Sequence, residues 1–533
     1  MNKGGDQDGN RTDYDLLIIG GGINGCGIAR DAAGRGLTVL LVEMSDLAAA
    51  TSSRSTKLIH GGLRYLEYFE FLLVRKALTE REILLHIAPH IIRPMKFILP
   101  HEDHLRPKWL IRLGLFLYDH LGMRKTLGRS RRIKLNPDDP ANPLSPRLRD
   151  AFSYYDCWVD DARLVILNAL DARDQGADIR TRTRFLTAQN RGDHWRATIA
   201  GSRTAAPQTI TAKALVNAAG PWVSDIIEQN LALPAHNRLR LIKGSHIIVP
   251  RLFDGPDAYI LQIEDGRIIF AIPYETDFTL IGTTDVPFDG DPANVAISPA
   301  EIDYLCHHIN GHFRPTLTHG RPLSAADVVS SYAGVRPLYD DATQEASAVT
   351  RDYVLALRRD YAPGDKMNNP QSDSRHQAAE SEGAPLLSVF GGKITTYRLL
   401  AEKALERLAA FFPHMAGRWT ATARLPGGNI PDGDRDRFLR AKMAQYPWLD
   451  ENLCQRYARL YGSRMDILLK GIGQMADMGP AIGPGLYPCE AKFLIRQEWA
   501  VTAEDILWRR TKLGLTWTEP EVTQLEQWLQ ETA

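Results

Sequence analysis

The feature that constrains this chain most is a β-α-β unit in residues 15–43, near the N-terminus. An apolar run predicts a buried parallel strand, and the chain then turns through Gly20, Gly22 and Gly25, spaced G-x-G-x-x-G. These glycines permit a tight turn, the approach of backbone amides to a pyrophosphate, and close packing of the following helix. A second apolar run ends at Glu43, whose carboxylate can accept a hydrogen bond from a ribose hydroxyl. The unit therefore predicts a dinucleotide-binding site rather than a Gly-rich turn without function.

The fingerprint alone leaves two cofactors open, NAD and FAD. No second fingerprint of this quality follows it in the sequence. One dinucleotide site followed by a large remainder is typical of a flavoprotein that keeps its cofactor and oxidises a separate substrate. The alternative is an NAD enzyme with a long C-terminal extension.

Length and composition limit the class of protein. A chain of 533 residues is too long for one ordinary core and predicts two or three domains. Lys plus Arg equals Asp plus Glu at 64 each, so the overall charge indicates no nucleic acid or other polyanionic partner. The five scattered cysteines form no C-x-x-C motif and are typical of reduced core residues in a cytoplasmic protein, without a metal site.

The N-terminus and the hydropathy pattern give no sign of membrane insertion. Residues 1–13 are polar without a hydrophobic signal region, and we expect them to form a disordered tail. No uninterrupted apolar run approaches the length of a membrane span. Any contact with a membrane is therefore expected from its surface.

Residues 50–71 follow the predicted ribose-binding strand and combine a hydroxyl-rich loop with a Gly-bearing motif. A loop in this position is expected near the cofactor, where hydroxyl groups can bind phosphate and ribityl oxygens. The alternative is a Ser/Thr-rich loop followed by an amphipathic helix. The hydroxyl residues include Thr51, Ser52 and Ser53, and the motif contains His60, Gly61, Gly62, Arg64 and Tyr65.

The motif SSRSTKLIHGGLRYLE, together with the fingerprint, resembles the FAD-dependent respiratory glycerol-3-phosphate dehydrogenases, in particular their aerobic bacterial form. The resemblance extends from about residue 14 to about residue 513, nearly the whole chain. The number and the order of the matching motifs make the resemblance far more specific than the fingerprint alone. The further matching motifs are YYDCWVDDARLV, LVNAAGPW, LIKGSHIIVP, IGTTD, YAGVRPL, TRDY and FGGKITTYR.

The resemblance implies an α/β fold with a Rossmann-like FAD-binding domain, an antiparallel-sheet substrate domain and a helical C-terminal domain. Three strand candidates, 259–263, 267–272 and 279–282, support the antiparallel sheet. We expect a FAD-dependent region at 14–424, a polar exposed insertion at 361–384 and the helical domain at 425–533. Within that region, the FAD-binding parts are expected at about 14–100, 150–235 and 385–415, and the substrate part at about 236–360.

The activity implied by the resemblance is the oxidation of sn-glycerol 3-phosphate to dihydroxyacetone phosphate by hydride transfer to FAD. Electrons then pass to a membrane quinone, and the enzyme lies peripherally at the cytoplasmic face of the inner membrane. A homodimer is one assembly compatible with the sequence. No histidine or cysteine lies in a recognisable attachment motif, so we expect noncovalent FAD. The open alternatives are an oxygen-using oxidase, an amine-oxidising flavoenzyme and a flavin-binding structural or RNA-modifying protein.

The expected site residues, from the motifs and from the resemblance, fall into three groups. The expected catalytic residues are His60 as general base, with His246 as the second candidate, Lys393 and Arg336. The expected substrate-binding residues are Arg64, Tyr65, Arg336, Arg351, Lys393 and Thr395. The expected cofactor-binding residues are Gly20, Gly22, Ile23, Asn24, Gly25, Glu43, Thr51, Ser52, Ser53, Leu58, His60, Gly61, Gly62, Ala219, Gly220, Gly391, Gly392, Lys393 and Thr395.

Two chemical reasons support these assignments. An arginine pair can grip the phosphate of a substrate bidentately and fix it for hydride transfer, which favours a phosphate over a neutral amine. Lys393 opens a helix behind two glycines, and a helix N-terminus beside a lysine can stabilise the negative charge that a flavin gains on reduction.

Residues 106–134 form the most basic segment, with nine Lys or Arg and a single acid, Asp119. A helix from about Pro107 would place Trp109, Leu113, Phe116 and Leu117 on one face, flanked by the basic groups. This pattern predicts an interfacial helix on anionic lipid. The alternative is an ordinary helix packed on its own core with a solvated basic end.

Overall fold

The computed structural model describes residues 12–122, 125–139, 141–201, 206–235, 237–315, 320–340, 352–359 and 383–532. The strands are β1 (Tyr14–Ile19), β2 (Val39–Val42), β3 (Leu58–Ile59), β4 (Ile92–Pro100), β5 (Arg131–Lys134), β6 (Asp150–Val159), β7 (Asp178–Arg180), β8 (Thr183–Asn190), β9 (Trp195–Gly201), β10 (Gln208–Asn217), β11 (Leu239–Pro250), β12 (Ala258–Gln262), β13 (Ile268–Tyr274), β14 (Phe278–Gly282), β15 (Val286–Pro287), β16 (Ser330–Tyr339), β17 (Val354–Arg358) and β18 (Leu386–Phe390).

The α-helices lie between and after these strands. They are α1 (Ile23–Gly34), α2 (Phe71–Ile87), α3 (Lys108–Leu121), α4 (Asp161–Asp174), α5 (Val223–Asp225), α6 (Pro299–His312), α7 (Tyr397–Leu408), α8 (Arg435–Gln445), α9 (Glu451–Tyr461), α10 (Met465–Leu468), α11 (Pro488–Glu498) and α12 (Glu519–Thr532).

The first sheet contains the predicted β-α-β unit. Its strands follow the order β17-β18-β10-β1-β2-β7, and β1 pairs in parallel with both β10 and β2. The strand β1 is apolar because both of its faces are covered, and Leu16, Leu17 and Ile18 are fully buried. The helices α4 and α7 pack against α1 on one face of this sheet. The predicted parallel unit is therefore confirmed.

The second sheet has ten strands and includes the three strand candidates of the substrate domain. The candidates correspond to β12, β13 and β14, which pair antiparallel in sequence order, so this prediction is confirmed. The strands β11 and β16 form a long antiparallel pair beside β14. The pairing of β12 with β4 is parallel, so the sheet is antiparallel except at this one described position.

One expectation differs from the structure. The segments 14–100 and 150–235 were expected on the FAD side, but β4 and β6 pair with each other in the second sheet. This division depends on strand pairing between residues far apart in the sequence, which local sequence patterns do not indicate.

The expected disordered tail and the expected exposed insertion lie mainly outside the described residues, namely 1–11 of the tail and 361–382 of the insertion. The end of the expected tail is ordered, because Asp13 Oδ2 accepts a hydrogen bond of 2.7 Å from the Thr211 amide beside β1. At the end of the expected insertion, Ala384 is buried at the start of the strand β18 region.

The C-terminal helices α8–α12 build a separate core around Ile506, Leu507 and their neighbours. They are tied to the rest of the chain by buried ion pairs. Arg163 on α4 pairs with Glu498 on α11, and Arg510 donates to Asp46 in the loop after β2. Buried charges of this kind require their partners, so the pairs fix the position of the helical region. All five cysteines are free thiols.

None of the described helices combines the length and the apolar character that crossing a bilayer requires.

Candidate active site

The Gly-rich turn after β1 is too tight for any other residue. A Cβ added to Gly25 would lie 1.9 Å from the Gly20 carbonyl oxygen, and one added to Gly20 would lie 2.6 Å from the Ala218 oxygen. The N-cap of α1 is Gly22, which provides no side-chain capping bond. The Ile23 amide is bonded to a side chain of the following loop, and the next two amides of α1, those of Asn24 and Gly25, remain available for an anion, as a pyrophosphate site requires.

The carboxylate of Glu43 braces this turn from the end of β2. It accepts hydrogen bonds from the Gly21 amide at 2.7 Å and from the Ser45 amide at 2.8 Å. Burial raises the pKa of this carboxyl group above its usual range, and the two amide bonds counteract that rise. Each oxygen retains a second acceptor site, so the geometry is compatible with the expected bond to a ribose hydroxyl.

The hydroxyl-rich loop meets the same helix terminus. Ser52 Oγ accepts a bond of 3.0 Å from the Ile23 amide, and both residues line the cavity described below. Thr51 Oγ1 donates to the Val335 carbonyl at 2.8 Å, which ties the loop to β16. Ser53 Oγ bonds only weakly to a carbonyl in its own turn, at 3.4 Å. Of the three predicted hydroxyls, Ser52 lies nearest to the α1 amides.

The carboxyl ends of β10 and β18 meet this turn. Asn24 Nδ2 donates a bond of 3.1 Å to the Gly391 carbonyl, although 367 positions separate the two residues. Gly391 and Gly392 have φ values of +75° and +102°, which favour glycine. Ala219 and Gly220 begin a short 3-10 turn after β10. Asn24 Oδ1 is buried and has no partner among the described residues, so it fits a site that a bound cofactor completes.

A cavity of about 300 Å3 opens next to this junction, between the two sheets. It brings together residues from four distant parts of the sequence, and most of the predicted substrate and catalytic residues lie in its wall. The predicted residues that line it are Ile23, Thr51, Ser52, Leu58, His60, Gly62, Arg64, Tyr65, Arg336, Gly392, Lys393 and Thr395.

Within the predicted motif at 60–65, Gly61 is not part of the cavity lining. Gly61 is buried behind it, and its amide donates to Tyr118 Oη at 2.8 Å. A Cβ on Gly61 would lie 2.5 Å from Leu78, so glycine is required here for packing rather than for contact with the cavity. Arg351 lies outside the described residues.

The guanidinium of Arg336 is held in the cavity by the chain after β14. Its Nη2 donates to Thr283 Oγ1 at 2.9 Å and to the Thr284 carbonyl at 3.2 Å. Its Nη1 lies 3.3 Å from Asp285 Oδ1. A Cβ on Gly244 of β11 would lie 2.2 Å from Nη2, so Gly244 makes room for the guanidinium. These bonds fix the orientation of a cation that projects from β16.

Sequence reasoning missed these supporting residues. The motifs IGTTD and LIKGSH marked the segments, but they gave no sign that Thr283, Asp285 and Gly244 surround one arginine. The glycine within an otherwise apolar strand pattern was the available signal, since such a glycine often marks close approach of another group. Arg267, which also lines the cavity, was missed as well.

Lys393 is the N-cap of a short 3-10 helix, 394–396, that leads into α7. Its Nζ lies 3.7 Å from the centroid of the Tyr65 ring, a cation–π contact between two predicted substrate residues. Thr395 is buried, and its Oγ1 accepts a bond of 3.2 Å from the His60 amide. The FGGK and IHGG motifs are therefore joined directly.

The two candidate histidines have different surroundings. His60 is half-buried in the cavity wall. His246 is 2% exposed, stacks on Tyr332 and shares a bond of 3.0 Å between its Nε2 and Thr56 Oγ1. Burial, with the nearby charges of Arg336 and Lys57, holds the pKa of His246 well below its usual range. His246 is therefore neutral near pH 7 and poorly suited to accept a proton.

Comparisons with known proteins agree on the class of this site. The family model described as FAD dependent oxidoreductase matches residues 15–360, and the one described as C-terminal domain of alpha-glycerophosphate oxidase matches residues 418–531. The glycerol-3-phosphate dehydrogenase of Pseudomonas aeruginosa is 51% identical, over 97% of this chain and 95% of that protein.

Two further relatives extend the comparison. The D-erythritol 1-phosphate dehydrogenase of Brucella abortus is 48% identical, over 96% of this chain and 97% of that protein. The solved structure of the glycerol-3-phosphate dehydrogenase from Bacillus halodurans complexed with FAD is 29% identical, with a TM-score of 0.70 over 97% of this chain and 94% of that chain.

Proposed function

Since the chain belongs to the FAD-dependent glycerol-3-phosphate dehydrogenase family, we propose that it oxidises sn-glycerol 3-phosphate to dihydroxyacetone phosphate and delivers the electrons to a membrane quinone. The observation that carries the substrate assignment is Arg336, an oriented cation in the cavity of about 300 Å3 that adjoins the dinucleotide turn. We call this cavity the substrate cavity. Bound FAD supplies the hydride acceptor. The protein residues have three tasks, which are to hold the phosphate, to remove a proton and to stabilise negative charge.

The phosphate is assigned to Arg336. Bonds to Thr283 Oγ1 and the Thr284 carbonyl restrict the guanidinium, so less side-chain freedom is lost when an anion binds. Charge-assisted bonds between arginine and phosphate are roughly twice as strong as neutral ones. Arg64 and Lys393 in the same wall add positive charge, which favours a phosphorylated alcohol over a cationic amine.

His60 is the proposed general base for the hydroxyl proton. It lies in the cavity wall, and its backbone is fixed by the bond from its amide to Thr395 Oγ1. An imidazole in contact with the cavity suits proton transfer near neutral pH. His246 is the weaker candidate, because burial and two neighbouring cations oppose its protonation.

Lys393 is proposed to stabilise the negative charge that develops when the flavin is reduced. It precedes a short helical turn, 394–396, of which Ile394 and Thr395 line the cavity together with Gly392. The contact with the Tyr65 ring holds the ammonium group at the cavity wall. Positive charge at this end of a flavin site favours acceptance of a hydride.

Two alternatives remain for the acceptor and the substrate. An oxidase would pass electrons to oxygen, and an amine-oxidising flavoenzyme would have to bind its substrate beside Arg336, Arg64 and Lys393. The D-erythritol 1-phosphate dehydrogenase relative raises a third possibility, a longer polyol phosphate as substrate. The acceptor and the chain length of the substrate can be tested separately.

The substrate assignment predicts that glycerol 3-phosphate bleaches the flavin of the holoenzyme under anaerobic conditions. Glycerol and amino acids should fail at the same concentrations, because neither offers a phosphate to Arg336. The measurement is stopped-flow absorbance of the flavin. Faster bleaching by D-erythritol 1-phosphate would identify that compound as the substrate. Bleaching by an amine and by neither phosphate would contradict the assignment of a polyol phosphate.

The acceptor assignment predicts that the reduced enzyme is reoxidised by a short-chain quinone analogue at least tenfold faster than by dissolved oxygen. The two rates are measured by mixing the anaerobically reduced enzyme with each acceptor. Equal or faster reaction with oxygen would identify an oxidase and contradict the quinone proposal.

The membrane contact is proposed at α3. Trp109, Leu113 and Phe116 are 69%, 46% and 50% exposed, whereas Leu115 and Tyr118 on the opposite side are buried. The helix α3 contacts α2 and the short 3-10 turn 63–68 that precedes it, and between these two elements and at the start of α2, Phe69 and Leu72 are 78% and 73% exposed. Exposed apolar groups of this size flanked by basic residues are typical of a lipid-facing surface. Tyr65 and Tyr68 of that turn line the cavity, so a lipid-soluble acceptor would meet the protein near the site.

The membrane proposal predicts that the Trp109→Asp/Leu113→Asp variant loses at least tenfold in binding to vesicles that contain anionic lipid, because each buried side chain contributes about 1.5–3 kcal/mol. Co-sedimentation measures this binding. Ile467→Asp is the matched control, since Ile467 is also 52% exposed but lies on α10. Equal binding by the α3 variant and the wild type would contradict the proposal.

The catalytic assignments predict that His60→Ala lowers kcat by about 10²–10⁴-fold and abolishes the pH dependence of kcat near neutrality. Lys393→Met should lower kcat far more than FAD content. The measurements are steady-state kinetics and the flavin to protein ratio. His414→Ala and Lys403→Met, at exposed positions, are the controls and should retain wild-type turnover. Near-normal turnover of His60→Ala, or a parallel loss of FAD and turnover in Lys393→Met, would refute the corresponding role.

A further inference from the structure

A second cavity, of about 730 Å3, lies where the second sheet meets the C-terminal helices. We call it the seam cavity. It is lined by the start of β4, the chain after β11, the β13–β14 turn and the start of α8. His246 in the substrate cavity and Arg251 in the seam cavity lie on one continuous stretch, five residues apart, which is about 16 Å at the rise of a strand. The two cavities are therefore distinct.

Two arginines in the wall of the seam cavity lack the partners that buried guanidinium groups normally have. The side chains of Arg93 and Arg435 are both half-buried. Neither guanidinium group has a hydrogen-bond or ion-pair partner within the described part of the chain. Arg93 Nε is fully buried and unsatisfied, while the guanidinium lies over Trp158, 4.9 Å from the ring centroid. A desolvated cation without a counterion is costly, so this arrangement favours an anion in the cavity.

The acidic residues of the seam cavity interact with other groups or with solvent. Glu275 pairs with Arg459. Asp434 caps α8 by accepting a bond of 2.9 Å from the Arg437 amide, and Asp436 is exposed to solvent. The third arginine, Arg251, donates to the Thr276 carbonyl and lies no closer than 3.6 Å to an acid. Glu275 and Asp436 therefore act on Arg93 and Arg435 only through their charge, without a direct ion pair among the described residues.

Positive charge is also present in the buried region around His90, next to the seam cavity. Burial and the charges of Arg435 and Arg459 lower the pKa of Arg93 to about 10. Burial, with the charges of Arg163, Arg464 and Arg435, lowers the pKa of His90 to about 3. Both ring nitrogens of His90 and two nitrogens of Arg464 are buried without partners among the described residues. The positive end of the α8 dipole adds to this potential, because Arg435 is the first residue of that helix.

We propose that the seam cavity is a binding site for a phosphorylated small molecule that carries an apolar or ring-shaped part, with its phosphate between Arg93 and Arg435. The apolar part of the wall consists of Met95, Phe253 and Phe278 together with three prolines, which suits a ring rather than a simple inorganic anion. The volume lies within the range of small-molecule sites and accommodates a mononucleotide. This ligand is separate from the substrate at Arg336.

The test is isothermal titration calorimetry on the FAD-loaded enzyme with AMP and with inorganic pyrophosphate as probes. The wild type should bind AMP, and the Arg93→Gln/Arg435→Gln variant should bind it at least tenfold more weakly. Arg437→Gln on the same helix is the matched control. The Arg437 guanidinium is exposed to solvent and makes only a loose ion pair, 3.7 Å from Asp432. Pyrophosphate should bind more weakly than AMP, since it lacks the ring.

An Arg336→Gln variant distinguishes the two cavities. Binding that survives in Arg336→Gln but is lost in the double variant supports the seam site, whether or not glycerol 3-phosphate is the substrate. Binding that is lost in Arg336→Gln and retained in the double variant belongs to the substrate cavity and overturns the proposal. An equal loss in Arg437→Gln, or no binding of AMP by the wild type at millimolar concentration, also overturns it.

Folding of the double variant and of Arg437→Gln is checked by flavin content and turnover, which should remain at the wild-type level. Folding of Arg336→Gln is checked by flavin content alone, because this residue belongs to the proposed substrate site. If the double variant does not fold, Arg435→Gln alone replaces it, and a loss of AMP affinity below tenfold in that variant counts against the site.

Discussion

The hydrogen bond from Asn24 to the Gly391 carbonyl joins the first helix of the nucleotide turn to the loop that carries Lys393. The contact depends on the parallel pairing of β1, β10 and β18, because only parallel strands place their carboxyl ends at one edge of a sheet. The dinucleotide turn, the Ala219–Gly220 turn and the FGGK loop therefore meet at a single junction. The substrate cavity opens beside that junction, where the second sheet closes over it.

The second sheet determines what the junction can act on. The strands β11, β14 and β16 lie side by side, and each contributes to one arginine: Gly244 provides space, Thr283 provides an acceptor after the strand end, and Arg336 provides the charge. In the proposed function, the first sheet supports the cofactor and the second sheet presents the cation for an anionic substrate. The names of both relatives contain a polyol phosphate, and an arginine that binds phosphate is compatible with either one.

The sequence predicted those parts of the structure that follow from local chemistry. The β-α-β unit follows from apolar runs and three glycines, and β12–β14 follow from alternation between turn residues. The assignment of β4 and β6 to the second sheet could not be predicted in this way, because their pairing joins segments about sixty residues apart. The environment of Arg336 and the unpartnered Arg93 and Arg435 arise from contacts between distant segments, so no local pattern reports them.

The central claim is that Arg336 selects the phosphate of the substrate. The most direct measurement compares kcat/KM for glycerol 3-phosphate and for glycerol in the wild type and in Arg336→Met. The account predicts that the variant loses at least a hundredfold in kcat/KM for glycerol 3-phosphate, consistent with about 3 kcal/mol for a charge-assisted contact, while its low activity with glycerol is unchanged. An equal loss with both substrates, or no loss with either, would contradict the claim.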